Sequence, residues 1–250
     1  MPRRVLIALT LLLPCSTALL GPARAEEEAA TPAQTLLAEV EAAKAAKDDG
    51  KWAEALKRIV ALYPDAAEAD KKALAAAAGQ ALKSKSESVQ QAGLDALVGT
   101  KDGEAAWKAG LKGVMPDPKA DEAKPFELRA LATLKDLHPD AAVATLMALF
   151  DKAKDPKVCA AALEALSGYE RSKQRVTILE EVVKVVRTAK PGKSTSKAVS
   201  ATPKWTEISG KVVPALNALT GQSVADLDTW LQMIDEHKKK LADLFQKALD

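Results

Sequence analysis

The sequence predicts an all-α protein, organised as a degenerate helical-repeat superhelix (an α-solenoid) of antiparallel helix pairs. Apolar residues recur at helical spacing along most of the chain, as at Leu128, Leu131 and Leu134. The strict alternation of apolar and polar residues that marks half-buried strands is nearly absent. Ala, Lys, Glu and Leu dominate the composition, and all four are strong helix formers. An irregular helical bundle is the alternative that this periodicity leaves open.

Residues 1–25 predict a secretory signal peptide. A basic start at Arg3 and Arg4 leads into the apolar run 5–13, and Ala23-Arg24-Ala25 supplies the small residues that a signal peptidase requires. We therefore expect cleavage after Ala25 and a periplasmic or secreted protein. Pro14 in front of Cys15 argues against lipidation, and membrane contact is expected only through an uncleaved signal segment.

The mature chain, residues 26–250, is expected to be nearly neutral. Removing residues 1–25 takes away three arginines and no acid, which moves the formal net charge from +2 to −1. Such a chain lacks the basic surface that nucleic acid or anionic lipid requires. Cys159 is then the single cysteine, so an intramolecular disulfide is excluded.

Residues 26–189 are predicted to form the helical-repeat body, with helices ending at short turn or capping sequences. These lie at residues 48–50, 63–65, 83–86, 99–100, 116–118, 138–140, 155–156 and 168. An offset of 32 residues aligns segment 126–154 with segment 158–186. A Leu-x-x-Leu pair recurs at residues 94 and 97, 131 and 134, 163 and 166, and 216 and 219. Because one helix pair cannot bury its apolar face alone, stacked repeats are predicted.

The sequence at residues 155–166, Asp-Pro-Lys-Val-Cys-Ala-Ala-Ala-Leu-Glu-Ala-Leu, resembles the second helix of HEAT repeats. Residues 87–97 are a weaker copy. The family usually carries Arg where Cys159 stands, so the Asp–Arg ladder of tight HEAT arrays is not implied here. Residues 50–64 are similar to half of a tetratricopeptide repeat. These resemblances imply stacked helix pairs and a protein-binding role.

The C-terminal part is predicted to be a flexible loop or linker at residues 190–203, rich in Ser, Thr, Lys, Pro and Gly, and a helical cap at residues 204–250. Apolar residues at 227, 231, 234, 241, 245 and 248 form a stripe on this cap. The stripe packs on the last repeat, or it forms a short coiled coil through which residues 226–250 self-associate.

The stretch 215–230 is interpreted as a joint between two helices. Gly221 stands where a left-handed C-cap is needed, and Asp226 or Ser223 can cap the helix that follows. The pattern Leu-Thr-Gly-Gln at 219–222, followed by Asp226 and Trp230, also resembles the end of HEAT-like repeat proteins of planctomycete-type bacteria. Those proteins usually carry a second Trp three residues after the first, and Met233 stands at that position here.

No catalytic, cofactor-binding or metal-binding residue is predicted. His138-Pro139-Asp140 matches the J-domain tripeptide but lacks the basic helix before it, and is interpreted as helix punctuation. Pro-Gly-Lys-Ser at 191–194 lacks the upstream glycine and strand of a phosphate-binding loop, and Ser194 with Lys197 lacks the partner motifs of penicillin-binding enzymes. His237 does not share a helix face with Asp235 and Glu236.

The remaining distinctive residues are predicted to be structural. Cys159 occupies a small-residue position in an Ala-rich helix and is expected to be buried. The large aromatic residues Trp52, Trp107, Trp205 and Trp230 are expected to anchor helix contacts, or in one or two cases to be exposed binding anchors. The sequence thus predicts an exported, non-enzymatic protein-interaction scaffold with an unidentified protein partner. The alternative is a self-associating structural or envelope-associated protein.

Overall fold

The computed structural model describes residues 30–191, 202–237 and 244. The predicted signal peptide, most of the predicted linker and the last part of the C-terminal stripe lie outside these residues. The helices described below belong to one compact unit, which begins at Thr31.

The prediction of an all-α protein is confirmed, because the described residues form helices and no strand. The helices are α1 Pro32–Ala45, α2 Asp49–Leu62, α3 Glu68–Ala81, α4 Glu87–Gly99, α5 Gly103–Ala109, α6 Pro125–Leu137, α7 Val143–Lys152, α8 Pro156–Leu166, α9 Arg175–Ala189, α10 Pro203–Thr220 and α11 Leu227–Glu236. Short 3-10 turns lie at Leu111–Val114 and Asp140–Ala142. None of the helices in the described ranges is both long enough and apolar enough to cross a membrane.

The helices stack in two layers that alternate along the chain. In one layer α2 packs on α4, α6 on α8, and α8 on α10. In the other layer α1 packs on α3, α3 on α5, and α7 on α9. The layers are joined by close helix hairpins, α1 with α2, α3 with α4, and α7 with α8. This is the packing that stacked helix pairs require, while the superhelix itself stays a prediction.

The Leu-x-x-Leu pairs all lie on even-numbered helices and are buried. They are Leu94 and Leu97 in α4, Leu131 and Leu134 in α6, Leu163 and Leu166 in α8, and Leu216 and Leu219 in α10. The 32-residue offset relates α6 to α8 and α7 to α9, which are stacked neighbours within a layer. The repeated pair therefore marks the side of α4, α6, α8 and α10 that faces the core.

Most of the predicted breaks lie at helix ends, whereas 116–118 lies within the loop between the 3-10 turn at Leu111–Val114 and α6. Side chains of Thr31, Asp48, Asp102, Asp155, Thr202 and Asp226 accept a backbone N–H at the first turn of their helices. His138 and Gly221 end α6 and α10 in the left-handed conformation. Gly110, which ends the seven-residue α5, is not among the predicted breaks.

Candidate functional site

The loops that lead from even-numbered to odd-numbered helices lie on one side of the stack, which we call the upper edge. These loops are residues 63–67, 100–102, 138–142, 167–174 and 221–226. The loops from odd-numbered to even-numbered helices, residues 46–48, 82–86, 110–124 and 153–155, form the lower edge. The separation follows from the antiparallel order of consecutive helices.

Three neighbouring pockets follow one another along the upper edge. The α1–α3 pocket, of about 330 Å³, lies between Thr31, Leu62 and Asp70. The α3–α5 groove has a volume of about 480 Å³ and is lined by Tyr63, which directly follows Leu62 in the chain. The third, which we call the His138 pocket, has a volume of about 400 Å³. Glu104 lines both the α3–α5 groove and the His138 pocket, so these two adjoin.

Hydrogen bonds between distant parts of the chain hold the first two pockets in shape. Thr31 Oγ1 donates to Asp70 Oδ2 at 3.1 Å across the α1–α3 pocket. The Tyr63 hydroxyl donates to Asp102 Oδ2 at 3.1 Å at the end of the α3–α5 groove. Burial, followed by the negative charge and hydrogen bond of Asp102, raises the pKa of Tyr63 to about 12. Tyr63 is therefore a neutral hydrogen-bond donor at physiological pH.

Two aromatic rings form one wall of the His138 pocket. The rings of His138 and Tyr169 meet edge to face, with centroids 5.9 Å apart and an interplanar angle of 87°. The Tyr169 hydroxyl donates to the carbonyl oxygen of Pro139 at 3.2 Å. Burial, followed by the negative charges of Asp140 and Glu104, raises the pKa of Tyr169 above its ordinary value.

The polar residues of the His138 pocket do not form a nucleophilic triad. Ser172 Oγ lies 2.6 Å from Asp140 Oδ1 and donates its proton to that carboxylate. A serine activated as a nucleophile would instead donate to a basic nitrogen. Gln174 Nε2 adds a bond to the Asp140 carbonyl oxygen at 3.0 Å, which fixes the loop. His138-Pro139-Asp140 thus joins α6 to the turn before α7, which confirms its interpretation as helix punctuation.

Cys159 is fully buried in α8, which confirms its predicted packing role. Its Sγ lies 3.3 Å from the carbonyl oxygen of Ala153. Burial raises the pKa of this thiol, which disfavours the reactive thiolate.

The four tryptophans all pack against the core. Trp107 and Trp230 are buried, and Trp52 and Trp205 are partly buried. Their prediction as helix anchors is confirmed.

The stretch 215–230 is a joint, as predicted, and Asn217 holds it together. Asn217 Oδ1 accepts from the Val224 backbone N–H at 3.1 Å and from Trp230 Nε1 at 2.9 Å. Its Nδ2 donates to the Val224 carbonyl oxygen at 3.0 Å. Asp226 caps α11 by accepting from Thr229 N at 2.9 Å, and this bond lowers the pKa of Asp226. The sequence predicts this cap, whereas the role of Asn217 has no signal in the sequence.

The described part of the C-terminal stripe packs within the chain itself. Trp230 and Ile234 are buried, and Leu227 and Leu231 pack against the core. Arg187 of α9 and Lys190, which directly follows α9, form ion pairs with Asp235 and Asp228 of α11. The described residues of the stripe therefore pack against the core of this chain. Self-association through residues 226–250 stays a prediction.

Among the described residues, no group of three His, Cys, Asp or Glu side chains is placed to hold a metal ion. His237 ends α11, and residues 193–197, which contain the Ser194 and Lys197 pair, lie outside the described ranges.

Comparison with known proteins found no matching family model, no matching curated protein and no matching solved structure.

Proposed function

We propose that this chain is an exported, non-enzymatic scaffold that binds a protein partner along its upper edge. The observation that carries the proposal is the row of three neighbouring pockets on that edge, of which the last two adjoin at Glu104. An extended or helical segment of a partner can place successive side chains into successive pockets, whereas a small molecule would occupy only one. Binding segments in this way is a common use of stacked helix pairs.

Two further observations support this proposal. The walls of the pockets are held by hydrogen bonds between loops far apart in sequence, so the surface is formed before a partner arrives, which lowers the entropic cost of binding. In addition, Ser172 of the His138 pocket donates to the Asp140 carboxylate, and the His138 ring packs against Tyr169, so these residues are not arranged in a catalytic order. The predicted signal peptide supplies the exported location.

Site-specific photocrosslinking in the cells from which the sequence comes tests the proposal. A photoreactive amino acid replaces Asp65, Ala76 or Arg171 on the upper edge, and Lys47, Lys83 or Lys119 on the lower edge as matched exposed controls. We expect one and the same protein, identified by mass spectrometry, to crosslink from the upper-edge positions only. Equal crosslinking from both edges, or none from the upper edge, would contradict the proposal.

A further inference from the structure

Leu244, which lies beyond the end of α11, is packed into the core of its own chain. Only 3% of its surface is exposed, and it belongs to the same hydrophobic core as Leu219 of α10 and Trp230 of α11. Its backbone carbonyl oxygen accepts a hydrogen bond from Gln222 Nε2 at 2.8 Å. The side chain and the backbone of this residue are therefore both held by the fold, and the bond to Gln222 places them at the joint between α10 and α11.

The chain is long enough to return from the end of α11 to this joint. α11 ends at Glu236 on the lower edge, whereas Gln222 lies on the upper edge. With ten residues, α11 is about 15 Å long. The seven residue steps from His237 to Leu244 can span up to about 23 Å. Leu244 can therefore reach the joint of its own chain, and the contact does not require a second copy.

The sequence around Leu244 has the apolar spacing of a helix that covers one surface. Leu241, Leu244, Phe245 and Ala248 follow the i, i+3, i+4, i+7 pattern. On such a helix, residues 241 and 248 lie one turn before and one turn after Leu244, on the same side. The predicted stripe at 241, 245 and 248 is therefore in register with a residue that the structure buries within the chain.

The joint and α11 offer apolar surface to such a segment. Val224 in the joint, and Leu227 and Leu231 in α11, are partly buried and pack against the core. Asn217 fixes the joint through three hydrogen bonds. The surface is therefore formed in advance, which lowers the entropic cost of docking on it.

We propose that residues 238–250 dock in cis on the end of the stack, with Leu244 as the anchor beside the joint between α10 and α11. The occupant is this segment of the chain itself, because Leu244 is already seated there and the residues between it and α11 can bridge the distance. Docking closes the last helices of the stack, as terminal caps do in stacked-helix proteins. The apolar stripe is then used within one chain and is not free to form a coiled coil with a second copy. This surface lies apart from the three pockets of the upper edge, so the inference does not depend on the proposed function.

Paramagnetic broadening of NMR signals tests this docking. The full chain, labelled with ¹⁵N, carries a nitroxide on Lys247→Cys, while the native Cys159 is buried and its raised pKa disfavours labelling. We expect the indole N–H signal of Trp230 to broaden, because docking brings the nitroxide close to α11. The indole signal of Trp52 should keep its intensity, because α2 lies at the other end of the stack.

A mixed sample distinguishes the chain's own segment from that of a second copy. The ¹⁵N-labelled chain without a nitroxide is mixed with unlabelled chain that carries one, and the Trp230 signal should stay unchanged. Broadening of Trp230 in this mixture would show that the segment docks on a second copy. An unbroadened Trp230 signal in the first sample would show that it does not dock at the end of the stack. Either result overturns the inference.

The substitution Leu244→Ala tests the anchor itself. Loss of most of a buried leucine side chain should speed amide hydrogen exchange in the joint and in α11 by about tenfold or more. Gln246→Ala is the matched control, because the apolar pattern places Gln246 on the opposite side of the helix, and it should leave these exchange rates unchanged. Equal exchange rates in the two variants would overturn the role of Leu244 as the anchor.

Discussion

The carboxylate of Asp155 is buried and accepts hydrogen bonds from two backbone N–H groups. Oδ1 accepts from the Lys157 backbone N–H at 2.9 Å and caps α8. Oδ2 accepts from the Ala123 backbone N–H at 2.9 Å, which ties the loop before α6 to the start of α8. The Asp-Pro sequence predicts the cap but not the second bond, because Ala123 is 32 residues away.

Replacing Asp155 with alanine should lower the free energy of unfolding by roughly 2–3 kcal/mol. The variant loses a helix cap and leaves the Ala123 N–H buried without a partner. Asp117→Ala is the matched control, because Asp117 also accepts a backbone N–H, from Lys119 at 2.8 Å, but is exposed to water. Urea denaturation should show a loss below about 1 kcal/mol for the control. Equal losses would mean that burial of the Asp155 carboxylate adds nothing.

Tyr63 should make the stability of the chain depend on alkaline pH. Its pKa is raised from 10.0 to about 12 in the folded chain, so the unfolded chain loses this proton first. The stabilisation is complete below pH 10 and declines as pH rises from 10 to about 12.

The difference in unfolding free energy between the native chain and Tyr63→Phe should therefore shrink across this interval. Chemical denaturation at successive pH values measures that difference, and lysine titration cancels because both chains share it. A difference that stays constant from about pH 9 to 12 would show that burial and Asp102 do not raise the pKa of Tyr63 in the folded chain.

At the scale of single helices, the sequence predicts most boundaries because capping is local chemistry. Thr, Asp, Pro and Gly at the breaks act within one turn of their own position. The end of α5 at Gly110 depends instead on tertiary contact. A Cβ on Gly110 would lie 2.8 Å from the Gly79 carbonyl oxygen, so the close approach of α3 is involved. Such a contact between distant helices has no local sequence signal.

Glycines inside two helices should respond in opposite directions to alanine substitution. A Cβ on Gly93 of α4 would lie 2.7 Å from Ala81 Cβ and 2.8 Å from the Ala78 carbonyl oxygen of α3. Gly93→Ala should therefore push α4 from α3 and cost about 1–3 kcal/mol. A Cβ on Gly210 of α10 would meet nothing within 4 Å. Gly210→Ala should stabilise the chain by up to about 1 kcal/mol through helix propensity.

Thermal unfolding followed by circular dichroism measures both effects. The melting temperature should fall for Gly93→Ala and rise for Gly210→Ala. A rise in both variants would show that α3 and α4 can separate without cost, contrary to the close packing of these helices.

At the scale of the whole molecule, the candidate site could not be predicted from the sequence. The α3–α5 groove joins Tyr63 to Asp102 and the His138 pocket joins Asp140 to Ser172, across 39 and 32 residues. No local motif predicts that Tyr63 meets Asp102 or that Asp140 meets Ser172. They come together because the helices alternate in direction, which gathers every second loop on the upper edge. The periodicity predicts that alternation, but not which loop side chains meet.

Because each helix of the stack packs on its neighbours, we expect a substitution near α11 to destabilise only the last helices. α10 packs on α8 and α9, and α11 is joined to α10 by the Asn217 joint. Asn217→Ala removes three hydrogen bonds and leaves Trp230 Nε1 without its acceptor, at a cost of roughly 2 kcal/mol. In a stack whose stability is a sum over neighbouring interfaces, this cost falls on the last helices.

Native-state hydrogen exchange followed by mass spectrometry separates local from global destabilisation. Amides of α10 and α11 should exchange faster in Asn217→Ala, while those of α1 to α4 keep the rates of the native chain. Asn217→Asp is the control, because it retains the acceptor for Trp230 Nε1 and should show a smaller change. Faster exchange in all the described helices of Asn217→Ala alike would instead mean that α1 to α11 unfold as one cooperative unit.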